Sequence, residues 1–279
     1  MHLVVKKSIV IGEKMSGKPN FLITGTQKGG TESHTTHLNQ HPDVYLYEGE
    51  GHFFDRGDYQ PDYDEYHEFF KDVENKIAIG EKTPSYMYLH FTIDNIYEYN
   101  PDMKLIMFLR EPISRAYSQY SMDRGNGVNV FHSDDIHFSD DEDSFLDSVR
   151  STEHLKVKDI KSNGYWGLQR GFYIDQIEYI LSKFDRNNVL ILISERVLKN
   201  PLREYNKIFN FLGVSPLTMR PHGPQFAGNK IFKFQDNINK TYYRKPIKRE
   251  DYNYLSEIYK PYNDRLYDFL GYQITEWIL

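Results

Sequence analysis

Short apolar runs alternate along this chain with longer segments in which apolar residues recur at helical spacing. Residues 21–24, 44–47, 76–80, 104–109 and 189–193 read as strands. The run Lys104-Leu105-Ile106-Met107-Phe108-Leu109 is apolar without alternation after its first residue, the pattern of a parallel strand buried on both faces. Helices are predicted over 31–41, stopped by Pro42, over 63–71, over 91–99, ended by Asn100-Pro101, and over 112–122, with Pro112 at the start. Further on, 164–184 holds apolar and aromatic residues at helical spacing. Helices are also predicted over 201–212, closed by Gly213, and over 251–270. Such alternation predicts an α/β fold, a mostly parallel sheet with helices on both faces. No internal repeat or linker divides the chain, so the sequence predicts an N-terminal extension over 1–20 and one domain over 21–279.

Composition narrows the classes. The 279 residues carry a net charge of -6, which disfavours a general nucleic-acid binder. The absence of cysteine excludes disulfides, thiolate-bound zinc and a thiol nucleophile, and it fits a reducing compartment. No run is long enough to span a bilayer. The apolar patch Ser8-Ile9-Val10-Ile11 is too short for a secretory segment, and the reading is a cytoplasmic protein. Charge is unevenly spread. Residues 133–147 hold seven acids and no Lys or Arg, a solvated loop leading into a helix. Residues 230–249 carry a local excess of six positive charges, a concentration that suits an anion cleft.

The first predicted strand runs directly into Gly25-Thr26-Gln27-Lys28-Gly29-Gly30-Thr31. A glycine-rich turn between strand and helix aims backbone N–H groups and the positive helix end at one point, and Lys28 adds a full charge there. The nucleotide P-loop places its lysine after the last glycine. Here Lys28 precedes Gly29-Gly30, which argues against an ATP-type kinase. A second anion motif follows the strand at 104–109. Arg110 stands at its carboxyl end, where ligands bind in open α/β sheets. Ser118, two helical turns on, can join Arg110 in clamping a phosphate. Arg115 can instead pair with Glu111, four residues earlier, at the surface. A ligand with phosphate-like groups at both ends would satisfy both sites. No dedicated acidic metal motif is present.

With these residues in place the sequence resembles the sulfotransferases that use 3′-phosphoadenosine 5′-phosphosulfate (PAPS), and most closely the heparan sulfate glucosaminyl 3-O-sulfotransferases and N-sulfotransferase domains. The resemblance is carried by Lys28-Gly29-Gly30-Thr31, Leu38-x-x-His41-Pro42-Asp43-Val44 and Glu50-Gly51-His52-Phe53-Phe54-Asp55. It continues through Glu81-Lys82-Thr83-Pro84-Ser85-Tyr86 and Arg110-Glu111-Pro112-x-x-Arg115-x-x-Ser118, in order over about residues 21–214. It implies a P-loop-like sulfotransferase fold. It implies that Lys28, Gly29, Gly30, Thr31 and Ser33 hold the 5′-phosphosulfate and that Arg110 and Ser118 hold the 3′-phosphate. Glu50 takes the place of the catalytic base, with His52 as its partner or as an acceptor contact, and Lys82 that of a lysine near the sulfate. Glu81 can pair with a basic neighbour. Phe53 and Phe54 are core, and Tyr173 falls in a segment near the nucleotide. The late basic element that also touches the 3′-phosphate is not cleanly present; Lys240, Arg244 and Lys245 are its candidates. Glu32 departs from the small or basic residue usual at its position. The implied reaction moves a sulfuryl group from PAPS to an acceptor hydroxyl or amine, leaving adenosine 3′,5′-bisphosphate. The implied acceptor is a saccharide, with a small-molecule alcohol, or a phosphoryl transferase on a similar sheet, as alternatives.

Overall fold

The computed structural model of the chain describes residues 17–30, 32–56, 62–125, 145–153, 167–218, 234–235, 241–242 and 247–278. Thr31, Lys240, Arg244, Lys245 and most of the acidic segment lie outside the described residues, as does the side chain of Ser33.

Five strands form one parallel sheet in the order β2-β3-β1-β4-β5: β1 (Phe21–Gly25), β2 (Val44–Leu46), β3 (Ala78–Lys82), β4 (Lys104–Leu109) and β5 (Val189–Ile193). The doubly buried pattern read from β4 holds for the sheet. Leu22, Ile79, Leu105 and Met107 enter one core, and Phe21, Ile23, Ala78, Ile106 and Phe108 enter the other. The first core is closed by α3 (His90–Tyr99), α6 (Tyr173–Leu181) and the end of α9 (Arg249–Leu270). The second is closed by α1 (Glu32–Leu38) and α8 (Pro201–Leu212). A third cluster joins α4 (Pro112–Gly125), α5 (Phe145–Arg150) and the middle of α9. Helix α2 (Tyr63–His67) lies on the β2 side of the first core, and α7 (Ser194–Lys199) follows β5. Phe234–Gln235 and Thr241–Tyr242 pair as a short antiparallel ladder, β6 and β7.

The elements fall where hydropathy places them, with instructive exceptions. Strand β3 lies two residues beyond its predicted span. Lys76 and Ile77 form the approach to it, Ile77 being half exposed, while the polar pair Glu81-Lys82 is buried in its last two positions. Helix α1 stops at Leu38, before the expected His41. The Asn39 side chain satisfies both backbone groups of Leu46, with Nδ2 donating to its carbonyl at 2.8 Å and Oδ1 accepting its N–H at 2.6 Å. The short helix α7 was not expected from the pattern.

Candidate active site

Chain order sets the location. From β1 the chain passes to β2 on one side of the sheet, and from β4 to β5 on the other. The carboxyl ends of the central strands therefore border a topological switch point, the place where open α/β sheets bind ligands. Four of the singled-out segments leave the sheet at this edge: 26–30 after β1, 48–55 after β2, Lys82–Tyr86 at and after β3, and Arg110 after β4; the segment 38–44 instead leads into the amino end of β2.

The glycine turn is held from three sides. The Phe108 carbonyl accepts the Thr26 N–H at 3.1 Å, the Ser194 hydroxyl donates to the Gly29 carbonyl at 2.8 Å, and Arg110 Nη1 donates to the Lys28 carbonyl at 2.9 Å. A Cβ at Gly29 would lie 2.7 Å from the Phe108 carbonyl oxygen and 2.8 Å from that of Thr26, so only glycine lets the turn lie this close to β4. Lys28 itself adopts φ 67°, a left-handed conformation rare for a residue with a side chain, and its Nζ lies 3.1 Å from Met122 Sδ on α4. Arg110 thus ties the second anion motif to the first; one of its five N–H groups goes to the turn. Tyr173 reaches this edge from the core side. It is buried, and its hydroxyl donates to the Arg110 carbonyl at 2.8 Å.

One expectation about this region needs correction. Arg115 makes no surface pair with Glu111. It is wholly buried, and its guanidinium donates to Gln119 Oε1 at 2.8 Å and to the Gly167 carbonyl. Glu111 instead caps α4, accepting the N–H groups of Ile113 at 2.9 Å and Ser114 at 2.6 Å. Ser118 is buried on the same helix.

The segment after β2 carries a hydrogen-bonded row of side chains. His52 Nε2 lies 3.1 Å from Glu50 Oε2, His52 Nδ1 lies 2.9 Å from Asp55 Oδ2, and the Ser85 hydroxyl donates to the same Asp55 oxygen at 2.6 Å. The segment is not extended at its centre, since His52 has φ 45°. Glu50 and His52 nevertheless meet, through the turn rather than through a shared strand face. Hydrogen bonding to Asp55 first, and to Glu50 next, pushes the His52 imidazole up to about 10 against the opposing effect of its partial burial. The same contacts hold Asp55 below the usual carboxylate range although burial acts the other way. Sequence reasoning assigned no role to Asp55 or Ser85, although both stand in the quoted motifs. The only available signal was their spacing from His52 and Lys82.

Strand β3 presents its last two residues to opposite faces. Glu81 pairs in register with Leu22 and faces the first core. Lys82 pairs with Ile23 and faces the α1 side, where its charge helps lower the buried His34 to about 3, after burial and His37. Among the described residues Glu81 has no basic partner, contrary to expectation. Its carboxyl accepts the Thr83 hydroxyl at 2.8 Å and the Gly51 N–H at 3.3 Å. The structure therefore joins Lys28 to Arg110, and Glu50 to His52 and the end of β3. Among the described residues no group of three or more histidine, aspartate or glutamate side chains is placed to hold a metal ion, and no helix is long and apolar enough to cross a membrane.

Residues 18–257 match the sulfotransferase domain family. The chain is 27% identical over 282 residues to human heparan sulfate glucosamine 3-O-sulfotransferase 3A1, an alignment that covers 95% of this chain and 64% of that protein. It is 26% identical over 283 residues to the mouse bifunctional heparan sulfate N-deacetylase/N-sulfotransferase 4, covering 93% of this chain and 31% of that one. The chain thus spans less than two thirds of the length of these relatives. Among solved structures, a sulfotransferase from Alicyclobacillus acidocaldarius superposes with a TM-score of 0.72 at 23% identity, over 93% of this chain and 98% of its own. The parallel sheet, the glycine turn and the motif order accord with one conclusion: the chain belongs to the sulfotransferase domain family.

Proposed function

We propose that this protein transfers the sulfuryl group of PAPS to a hydroxyl, or less readily an amine, of a saccharide, with Glu50 as general base. The observation that carries the reading is the joining, at one sheet edge, of two anion-binding motifs through the Arg110–Lys28 contact, beside a carboxylate held by His52. The donor set fits the nucleotide. The turn that only Gly29 can close offers backbone N–H groups and the Lys28 charge to the phosphosulfate, with Gly30, Thr31 and Ser33 completing it. Arg110 and Ser118, from the β4 side, suit the 3′-phosphate, the group that separates this donor from ATP. Lys240, Arg244 and Lys245 are further candidates for the same phosphate.

The acceptor oxygen attacks sulfur as the bond from sulfur to the bridging phosphate oxygen breaks. Glu50 takes the acceptor proton, and the leaving group departs as adenosine 3′,5′-bisphosphate. Lys28, with Lys82, offsets the negative charge that builds on the bridging and sulfuryl oxygens. In this reading His52 is the partner of Glu50 and not a second base. Held charged near neutral pH by Asp55 and Glu50, its imidazolium has no lone pair to accept a proton, and it serves to orient the Glu50 carboxylate. The relatives named for heparan sulfate support a glycan as acceptor.

Calorimetry and a transfer assay with labelled PAPS over a glycan panel test the reading together. Adenosine 3′,5′-bisphosphate should bind more tightly than ATP with Mg²⁺, and label should pass to at least one glycan. E50Q should keep bisphosphate binding and lose about two to four powers of ten in turnover, the scale of general-base removal. A preference for ATP would overturn the donor assignment, and undiminished turnover in E50Q would overturn the base.

A further inference from the structure

We infer that Glu81 is the positioning residue of the site: from beneath the sheet edge it fixes the backbone that carries Glu50 and His52. This rests on the reading of Glu50 as the base. The hexapeptides 50–55 and 81–86 lie against each other, and the second grips the backbone of the first. The Gly51 N–H donates to Glu81 Oε2 at 3.3 Å and the His52 N–H to Thr83 Oγ1 at 3.2 Å. The Tyr86 hydroxyl accepts the Phe53 N–H at 3.0 Å and stands 3.4 Å from the Phe54 nitrogen. Four consecutive amides are therefore held, and Glu81 is the root of the grip. The Thr83 hydroxyl donates to the same Oε2 at 2.8 Å, which leaves the Thr83 oxygen free to accept from His52, and the Tyr86 hydroxyl lies against the same carboxyl. Gly51 makes the approach possible. A Cβ there would lie 3.0 Å from Glu81 Cδ and within 3.3 Å of both carboxyl oxygens, a crowding that the packed carboxyl could relieve only by shifting.

Glu81 is wholly buried at the foot of an exposed site, and Oε1 has no hydrogen-bond partner among the described residues. A carboxyl used only to join strands would not need such a place; an apolar residue would fill it at lower cost. Burial, opposed by the bonds from Thr83, Tyr86 and Gly51, pushes it up to about 7. The titratable groups bearing on it are Asp55 from the segment after β2 and Tyr86 from the segment after β3; β1 offers only Leu22, and Lys82 faces the other way. The ionised carboxyl grips its donors more strongly than the neutral acid. The Glu50 segment is thus held most firmly above neutrality, and it loosens as the pH falls through 7. His52 stays charged to about 10, so it contributes no inflection near neutrality.

The test uses the full chain and the variants E81A, E81Q and T83V. Amide exchange at Gly51 and His52, followed by NMR with adenosine 3′,5′-bisphosphate bound, should quicken about tenfold or more in E81A. T83V, which keeps Glu81, should release the His52 amide and spare that of Gly51. In E81A kcat should fall about 10- to 100-fold, the scale of a small misplacement of a reacting group, while bisphosphate affinity holds within about twofold. E81Q, whose amide oxygen can accept the same donors, should recover most of that kcat and lose the inflection of kcat near pH 7. Unchanged exchange in both E81A and T83V overturns the inference, as does an E81Q profile that keeps the inflection. A parallel loss of bisphosphate affinity and kcat in E81A also overturns it, since that marks general disruption. Exchange is measured without turnover: if it responds as stated while the wild-type chain transfers no sulfuryl group, the function proposed above fails and the grip on the loop stands.

Discussion

At the scale of single residues, the row Glu50, His52, Asp55 and Ser85 concentrates opposite charges, all three from one hexapeptide, with Ser85 added from the segment after β3. An imidazole between two carboxylates gains from both, and the Asp55 contact is the larger contributor because that carboxylate is buried and itself held by Ser85. D55N removes the charge and keeps the shape. In that variant the His52 imidazole should titrate below the value of about 10 that it reaches in the wild type, moving toward 6.5, while the remaining Glu50 contact keeps it above that figure. NMR titration of the imidazole reads this directly; an unmoved midpoint would show that Glu50 alone holds the charge.

At the scale of elements, the glycine turn makes the sharpest demand on sequence. G29A must push a Cβ against two backbone carbonyls, and neither can move without shifting β4 or the turn. The variant should lose about 1–3 kcal/mol of stability by denaturant unfolding, the usual cost of overpacking, together with most of its affinity for adenosine 3′,5′-bisphosphate. Retained affinity would mean that the phosphate groups bind away from this turn. The same turn shows why much of the fold could be read from sequence. Apolar runs locate β1, β4 and β5 because those strands are buried on both faces, and Pro201 with Gly213 brackets α8. Strand β3 escapes its predicted bounds because its last two residues are polar and yet buried. A buried Glu81-Lys82 pair looks like loop to any hydropathy pattern, since the bonds that satisfy Glu81 come from Gly51 and Thr83. Likewise Arg115 reads as a surface partner of Glu111. Helical spacing does not disclose that Gln119 and the Gly167 carbonyl take it into the interior. Glu50 and His52 were legible as candidates, whereas the turn at His52 that brings them together was not.

At the scale of the whole molecule, the three most strongly displaced histidine and carboxyl groups shape stability against pH, and their signs differ. His34, buried and lowered from 6.5 to about 3, binds fewer protons folded than unfolded between those values; stability is lost as the pH falls through that window. Glu81, raised from 4.5 to about 7, binds more protons folded, so its contribution falls as the pH rises from 4.5 to 7 and partly cancels that of His34. His52, raised from 6.5 to about 10, also binds more protons folded; the stability it confers is fully present below 6.5 and is lost as the pH rises toward 10. The summed contribution of these three groups should therefore be nearly level between about pH 4.5 and 6.5, fall on the acid side, and decline through the alkaline range. Because His52 is half exposed, solvent screens its contribution, and the alkaline decline should be the gentler of the two. Denaturant unfolding across the range in the wild type and in H52Q separates the contributions. H52Q should remove most of the decline between about pH 7 and 9; on the acid side it also frees Asp55 of the contact that lowers it, so stability there should be lost at a higher pH than in the wild type. If H52Q declines as steeply as the wild type there, the imidazole is not held charged in the folded state, and its exclusion as the base, which leaves that role to Glu50, no longer follows.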